Sequence, residues 1–280
     1  MICYLCHSDK IGIKHKGVRD NPNINVIECQ NCGLVSLDSF SHISDNFYED
    51  SKMHASPILI DEWLNQTKND DTRRINDLRD LIRNKTILDF GCGNGGFLIK
   101  AKELSEEVMG IEPEKQFKSF FKDNGIRIYD TIDQLKSDMF FDLITAFHVF
   151  EHLKDPLATL KNLIKHLSDD GQIIIEVPNA DDALLSLYEC DSFAKFTYWS
   201  QHLFLFNENT MKDLVEQSGC KLNWIKQIQR YPISNHLYWL SKGLPGGHEK
   251  WTSFERINHY YQEILQQKKI CDTIMVSIKK

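Results

Sequence analysis

Four of the eight cysteines stand in two pairs, Cys3-x-x-Cys6 and Cys29-x-x-Cys32, with a 22-residue spacer between them. Each pair offers two thiolates on one side of a tight turn, and two such turns complete a tetrahedral S₄ site. A shell closed by four protein ligands is structural, and zinc is favoured over iron because nothing nearby suggests electron transfer. The alternative is a redox dithiol; His7, beside Cys6, is an exposed neighbour or a substitute ligand. The second reactive stretch is Asp89-Phe90-Gly91-Cys92-Gly93-Asn94-Gly95-Gly96, an acid followed by four glycines within six residues. Glycine is needed where the backbone turns with φ > 0 and where a ligand must touch bare backbone. The third group is three histidines, His148, His152 and His202, whose unperturbed pKa suits the removal of a proton near neutrality.

These residues need elements to hold them. The run Thr86 to Phe90 is β-branched and apolar, and Phe97, Leu98, Ala101 and Leu104 after it share one helical face. Strand, tight turn and helix make the first βα unit of a doubly wound sheet, and the amides that open such a helix attract negative charge. The spacing Gly91-x-Gly93-x-x-Gly96 with Glu112 further on also satisfies the dinucleotide fingerprint of an NAD dehydrogenase. Further strands are expected at 108–111, 126–129, 141–147, 172–177, 222–229 and 272–278. Helices are expected over 57–84, after Pro113 with Phe117, Phe120 and Phe121 inward, through Leu157 to Leu167 up to Gly171, and over 209–218 and 252–267. Two long stretches interrupt the pattern. Residues 180–206 are rich in aromatics, and residues 230–251 read as irregular from their prolines and glycines.

On these residues the chain resembles the class I S-adenosylmethionine (SAM)-dependent methyltransferases. The motifs are Leu88-Asp89-Phe90-Gly91-Cys92-Gly93-Asn94-Gly95, Gly110-Ile111-Glu112-Pro113, Phe141-Asp142-Leu143-Ile144 with Glu151-His152, and Val177-Pro178-Asn179, covering roughly residues 45 to 280. The resemblance implies an α/β fold: a seven-stranded, doubly wound, Rossmann-like sheet of order 3-2-1-4-5-7-6 with an antiparallel last strand, plus a small N-terminal zinc ribbon. The chain then divides into a ribbon at 1–40, a linker and N-terminal helices at 41–84, and a methyltransferase domain at 85–280 with substrate insertions at 180–206 and 230–251. It implies SAM as cofactor, held by Asp89, Gly91, Cys92, Gly93, Glu112, Pro113, Asp130, Ile132, Phe147 and His148, with Tyr48 closing over it. Asp89 would hold the amino group and Glu112 both ribose hydroxyls. His202, His148 and His152 are the candidate bases, and Tyr198, Asn179, His236 and Tyr238 the candidate acceptor contacts. The ribbon would pack on the catalytic domain and shape its acceptor pocket.

A ribbon joined to such a domain is similar, more narrowly, to methyltransferases of bacterial sugar pathways, which act on nucleotide-linked deoxysugars or surface-polysaccharide components. The C-methylating members carry a further C-terminal domain that has no match here, so O- or N-methylation of a small-molecule acceptor is expected over C-methylation.

Composition limits the rest. Net charge is −7 and no basic block stands out, which disfavours nucleic acid as the main partner. With 41% apolar residues an ordinary core can form, and no apolar run is long enough to span a membrane. The first residues do not read as a signal peptide, so the cytoplasm is expected. The competing readings are a nucleic-acid methyltransferase with the ribbon as reader, and a non-catalytic SAM-binding scaffold. The aromatic stretches suit stacking on a base or a sugar ring, but aromatic residues also make ordinary core contacts or those of a homodimer.

Overall fold

The computed structural model describes residues 1–44, 59–252 and 254–280. Its first unit is a small antiparallel sheet of β1 (Ile11–His15), β2 (Val26–Cys29) and β3 (Val35–Leu37). Then follow α1 (Ile60–Asp77), α2 (Arg79–Ile82), β4 (Thr86–Phe90), α3 (Gly96–Ala101), β5 (Glu107–Ile111), α4 (Lys118–Asp123), β6 (Arg127–Tyr129), β7 (Phe141–Phe147), α5 (Pro156–Lys165) and β8 (Leu167–Pro178). The C-terminal part adds α6 (Ala183–Ser186), α7 (Asp191–Thr197), β9 (Phe204–Leu205), α8 (Glu208–Gln217), β10 (Lys221–Ile228), α9 (Ile233–Lys242), α10 (Gly247–Lys250), α11 (Glu255–Lys268) and β11 (Thr273–Lys279).

The large sheet runs β10-β11-β8-β7-β4-β5-β6. Counting its strands along the chain, that is the expected order 3-2-1-4-5-7-6. The neighbours from β6 to β8 are parallel, and β11 is antiparallel to both β8 and β10. Parallel strands buried on both faces read as continuous apolar runs. Leu88, Ile144, Ile173 and Ile175 are accordingly inaccessible to solvent. In this topology the carboxyl ends of β4 and β7 flank the switch in strand direction, where ligands of open α/β sheets bind.

Two expectations are corrected. Leu167 and Gly171 were assigned to the end of a helix, but both lie in β8. Leu167 pairs with Phe141, and the register then skips to Leu143 opposite Gln172. A side chain at Gly171 would meet Leu167 at 2.8 Å and the Phe141 carbonyl at 3.0 Å, so glycine there permits the bulge. Residues 230–251 are mostly helical: Pro232 precedes α9 and Gly243, at φ 65°, closes it. Proline at a helix start and glycine just past its end are helix punctuation, not irregularity.

The ribbon and the large sheet share one core. A single apolar cluster runs from Cys3, Leu5 and Val35 through Phe204 and Phe206 to Ile173 and Val177. The link is β9, from the aromatic insertion, which pairs antiparallel with β3 (Val35 opposite Leu205, Ser36 opposite Phe204) and completes a four-stranded ribbon sheet. Among the described residues, no helix is long and apolar enough to cross a membrane.

Candidate active site

The glycine turn is fastened to the end of β5. The amides of Gly91 and Cys92 both donate to the Ile111 carbonyl, at 2.8 and 3.1 Å. Gly91, Gly93 and Gly95 all have positive φ. A Cβ on Gly91 would lie 2.5 Å from Val149, and one on Gly93 would lie 3.2 Å from the Trp63 ring, so the turn is pressed between the loop after β7 and helix α1. Glu112 grips it from below: one carboxylate oxygen accepts from the Gly93 amide (2.8 Å), the other from the Glu114 amide (3.0 Å). Asp89 is buried at the end of β4 and accepts from Thr145 Oγ1 at 2.7 Å. Burial pushes both acids up to about 7, against the lowering effect of these hydrogen bonds. A buried and a half-buried carboxylate, both poised near neutrality beside bare backbone, fit a ligand that brings positive charge and hydroxyl groups.

Cys92 packs its thiol toward Gly110, where a Cβ would stand 2.6 Å away. Phe147 meets Phe97 edge-on at 4.9 Å and lies under the Arg74 guanidinium at 4.4 Å. Pro113 is half-buried beside Glu112. Asp130 is ion-paired with Lys118, whose hydrogen bond holds it below the usual carboxylate range, and Ile132 packs against the main core. Tyr48 falls outside the described residues.

A charge network closes the other side of the crevice, and the sequence reading missed it. Glu176, inaccessible in β8, takes Arg73 through Nη1 and Nη2 (3.0 and 2.9 Å) and Arg74 through Nε and Nη2 (3.1 and 2.7 Å). Burial alone would raise Glu176, but Arg74, His148 and Arg73 hold it well below the carboxylate range. Arg230, just past β10, pairs with Asp70 and reaches His148 Nε2 at 3.3 Å. The available signal was one acid within Ile173-Ile174-Ile175-Glu176-Val177, since a charge in a buried strand needs a partner.

The three histidines converge on Glu151. His148 follows β7 in a left-handed conformation (φ 57°), which turns its ring back over the strand end. Its Nδ1 is 3.3 Å from Glu151 Oε1 and its Nε2 is 3.4 Å from Glu176 Oε1. Burial and Arg230 would lower His148, but the two carboxylates outweigh them and leave it raised. His152 shares a hydrogen bond at Nδ1 with the Gln201 carbonyl (2.8 Å), and its ring meets that of His202 at 5.1 Å. Burial drives His152 down, and His202 down to about 3, so both rings are neutral at pH 7.

The ribbon holds the segment that carries His202. Asp20 accepts from the Ser200 amide and hydroxyl at 3.0 and 2.7 Å, the Arg19 amide donates to the Tyr198 carbonyl at 2.8 Å, and His42 Nε2 lies 2.6 Å from the Ser200 carbonyl. The Arg19 guanidinium stands over Trp199 at 4.7 Å and Phe196 at 5.1 Å. From the other flank, Tyr4 O–H donates to Asp155, the cap of α5, at 2.5 Å.

The residues expected to touch the acceptor have internal neighbours. Tyr198 is buried beside His15. The Asn179 side-chain amide donates to the Cys271 carbonyl at 2.8 Å. His236 is bonded to Tyr261 at 2.6 Å, and Tyr238 accepts from Lys250 at 3.2 Å. The ligand atoms of Cys3, Cys6, Cys29 and Cys32 lie within 4.8 Å of one another, and the Cys3–Cys32 and Cys6–Cys29 sulfurs are 3.5 Å apart. Sulfurs on a tetrahedral zinc ion stand about 3.8 Å apart, so the cluster fits a zinc ribbon.

Sheet order, glycine turn and acid pair together define the class I methyltransferase fold. The chain belongs to the methyltransferase domain family, whose model matches residues 62–223, more than half of its length. Among curated proteins it is 26% identical over 155 residues to a ubiquinone biosynthesis O-methyltransferase of Rickettsia felis, covering 51% of this chain and 60% of that protein. It is 32% identical over 154 residues to a tRNA U34 carboxymethyltransferase of Helicobacter acinonychis, covering 50% of this chain and 57% of that protein. The chain thus spans about 60% of the length of these relatives. In fold it is similar to a SAM-dependent methyltransferase of Archaeoglobus fulgidus (TM-score 0.52, 21% identity, covering 76% of this chain and 94% of that one).

Proposed function

We propose that the protein is a SAM-dependent methyltransferase that methylates an oxygen or nitrogen of a small polar acceptor. The observation that carries this reading is the meeting of two half-sites at the end of β7. Asp89, the glycine turn and Glu112 gather at the ends of β4 and β5; His148, His152 and His202 gather around Glu151, just past the end of β7. SAM, when bound, supplies a methyl group on a sulfonium, and the carbon–sulfur bond pair stays with sulfur. Asp89 would hold the cofactor's ammonium, Glu112 its ribose hydroxyls, and Gly91 and Gly93 offer bare backbone. The acceptor heteroatom gives its lone pair to the methyl carbon and its proton to His148, the histidine of the cluster whose basicity is raised, then to solvent. Alignment of the two reactants supplies about 7–11 kcal/mol of the barrier.

For the acceptor we favour a nucleotide-linked sugar or a surface-polysaccharide precursor. The rim of aromatic rings under Arg19 suits a ring bearing phosphate. Zinc in the cysteine cluster would be structural. A tRNA acceptor is the second reading, favoured by the Helicobacter relative and opposed by the net charge of −7.

Calorimetry with S-adenosylhomocysteine, followed by radiolabel transfer to a panel of nucleotide sugars and to bulk tRNA, tests the proposal. Micromolar binding and a labelled sugar are expected. Label only in tRNA would move the acceptor to the second reading. No binding of S-adenosylhomocysteine would overturn the cofactor assignment, and competition with NAD would then decide the fold's ligand.

A further inference from the structure

We propose a second metal site, distinct from the cysteine cluster: a divalent first-row transition ion bound by Glu151, His152 and His202, with open positions facing the acceptor. One ligand atom from each residue lies within 4.8 Å of the other two. Donors on a shell of radius about 2.1 Å stand about 3–4.2 Å apart, so a small inward movement completes the set. The Glu151 side chain is 1% exposed, yet among the described residues neither carboxylate oxygen has a hydrogen-bond partner; His148 Nδ1, 3.3 Å away, is off the line of such a bond. His202 Nδ1 is buried and equally without one. A buried carboxylate normally collects hydrogen bonds, and one whose nearest partner is a loosely aligned imidazole at 3.3 Å, with two more imidazoles around it, marks a place for a cation.

The outer contacts agree. The Gln201 carbonyl binds His152 Nδ1, which fixes the ring with Nε2 toward Glu151, as carbonyl-anchored metal histidines are fixed. Gln201 and His202 are adjacent in the segment held by Asp20, so one loop supplies both a ligand and the anchor of another. Two imidazoles and one carboxylate suit zinc, manganese, iron or cobalt(II) better than magnesium, which prefers oxygen. Three protein ligands leave room for substrate, as catalytic sites do and the closed S₄ cluster does not.

The acceptor half of this inference rests on the methyltransferase reading. A cation here would select an acceptor with a hydroxyl beside a second oxygen donor, hold it by both, and lower the hydroxyl pKa. On transfer, the hydroxyl proton leaves to solvent, the oxygen pair forms the new bond to carbon, and the carbon–sulfur pair remains on sulfur.

The test is metal stoichiometry on the full chain, by elemental analysis and by titration with cobalt(II) alone. Two ions per chain are expected, one with thiolate charge-transfer absorption and one without. Glu151→Gln and His202→Asn should each weaken the second cobalt ion at least 100-fold, while the thiolate bands and S-adenosylhomocysteine binding persist. Wild-type protein that takes up one ion only, with no second cobalt below millimolar, would overturn the proposal whatever the variants do. Two ions bound without S-adenosylhomocysteine binding would sink the methyltransferase reading and leave the metal site standing.

Discussion

If Asp89 and Glu112 hold the cofactor as proposed, they set the pH behaviour of that half-site. Both acids are held near 7 by burial, above the ordinary carboxylate value of about 4. Because their folded pKa is raised, the stability they contribute is complete below about pH 4 and is lost as pH rises through 7. Binding has the opposite slope, since both must ionise to meet an ammonium and ribose hydroxyls. The expected result is an apo melting temperature that falls from pH 6 to 8 while affinity for S-adenosylhomocysteine tightens about tenfold. Scanning calorimetry and titration at the two pH values check it, and Glu112→Gln should flatten both trends. Asp89→Ala or Glu112→Ala should weaken binding more than about tenfold, the loss of one charge-assisted contact; unchanged affinity in both would remove the assignment. At this scale the sequence was informative because a glycine turn and its flanking acids are contiguous. The pairing of Glu176 with Arg73 and Arg74 was not visible, since about a hundred residues separate the partners and no local period links them.

Among elements, α1 does more than cover the sheet. Trp63, Thr67, Asp71 and Arg74 recur along one face and touch the glycine turn and β8. Asn94 Nδ2 donates to Thr67 Oγ1, which donates to Asp71, so the helix and the turn share a polar seam. Glu176→Gln would leave Arg73 and Arg74 short of their buried counter-charge and should cost about 3–5 kcal/mol, read as a lowered denaturant midpoint with unchanged slope. Strand β7 was legible in the sequence to the residue, because an apolar run bounded by breakers reads the same locally and in the sheet. The two-residue β9 was not: two residues carry no period, and it exists only because Val35 and Ser36 are there to pair with it. Helix α9 was read as irregular because its bounding Pro232 and Gly243 were taken as breakers within the segment, when they stand at its ends.

For the whole molecule, the ribbon is a buttress of the segment that carries His202, the proposed acceptor loop. Stripping zinc, or Cys3→Ser, should lower kcat at least about tenfold through misplaced His202, while affinity for S-adenosylhomocysteine changes less than about threefold. Single-turnover rates alongside calorimetry would check this; equal losses in both would mean that the ribbon supports the entire fold. The strand that joins ribbon to loop also sets an order of assembly. Val35 and Ser36 leave the ribosome about 170 residues before Phe204 and Leu205, their partners across the sheet. Until then β3 presents an unpaired edge, the kind of backbone template that other chains can add to. The nascent ribbon therefore passes through an association-prone stage, and early capture of metal by its four cysteines would confine that edge to a small, rigid unit while it waits.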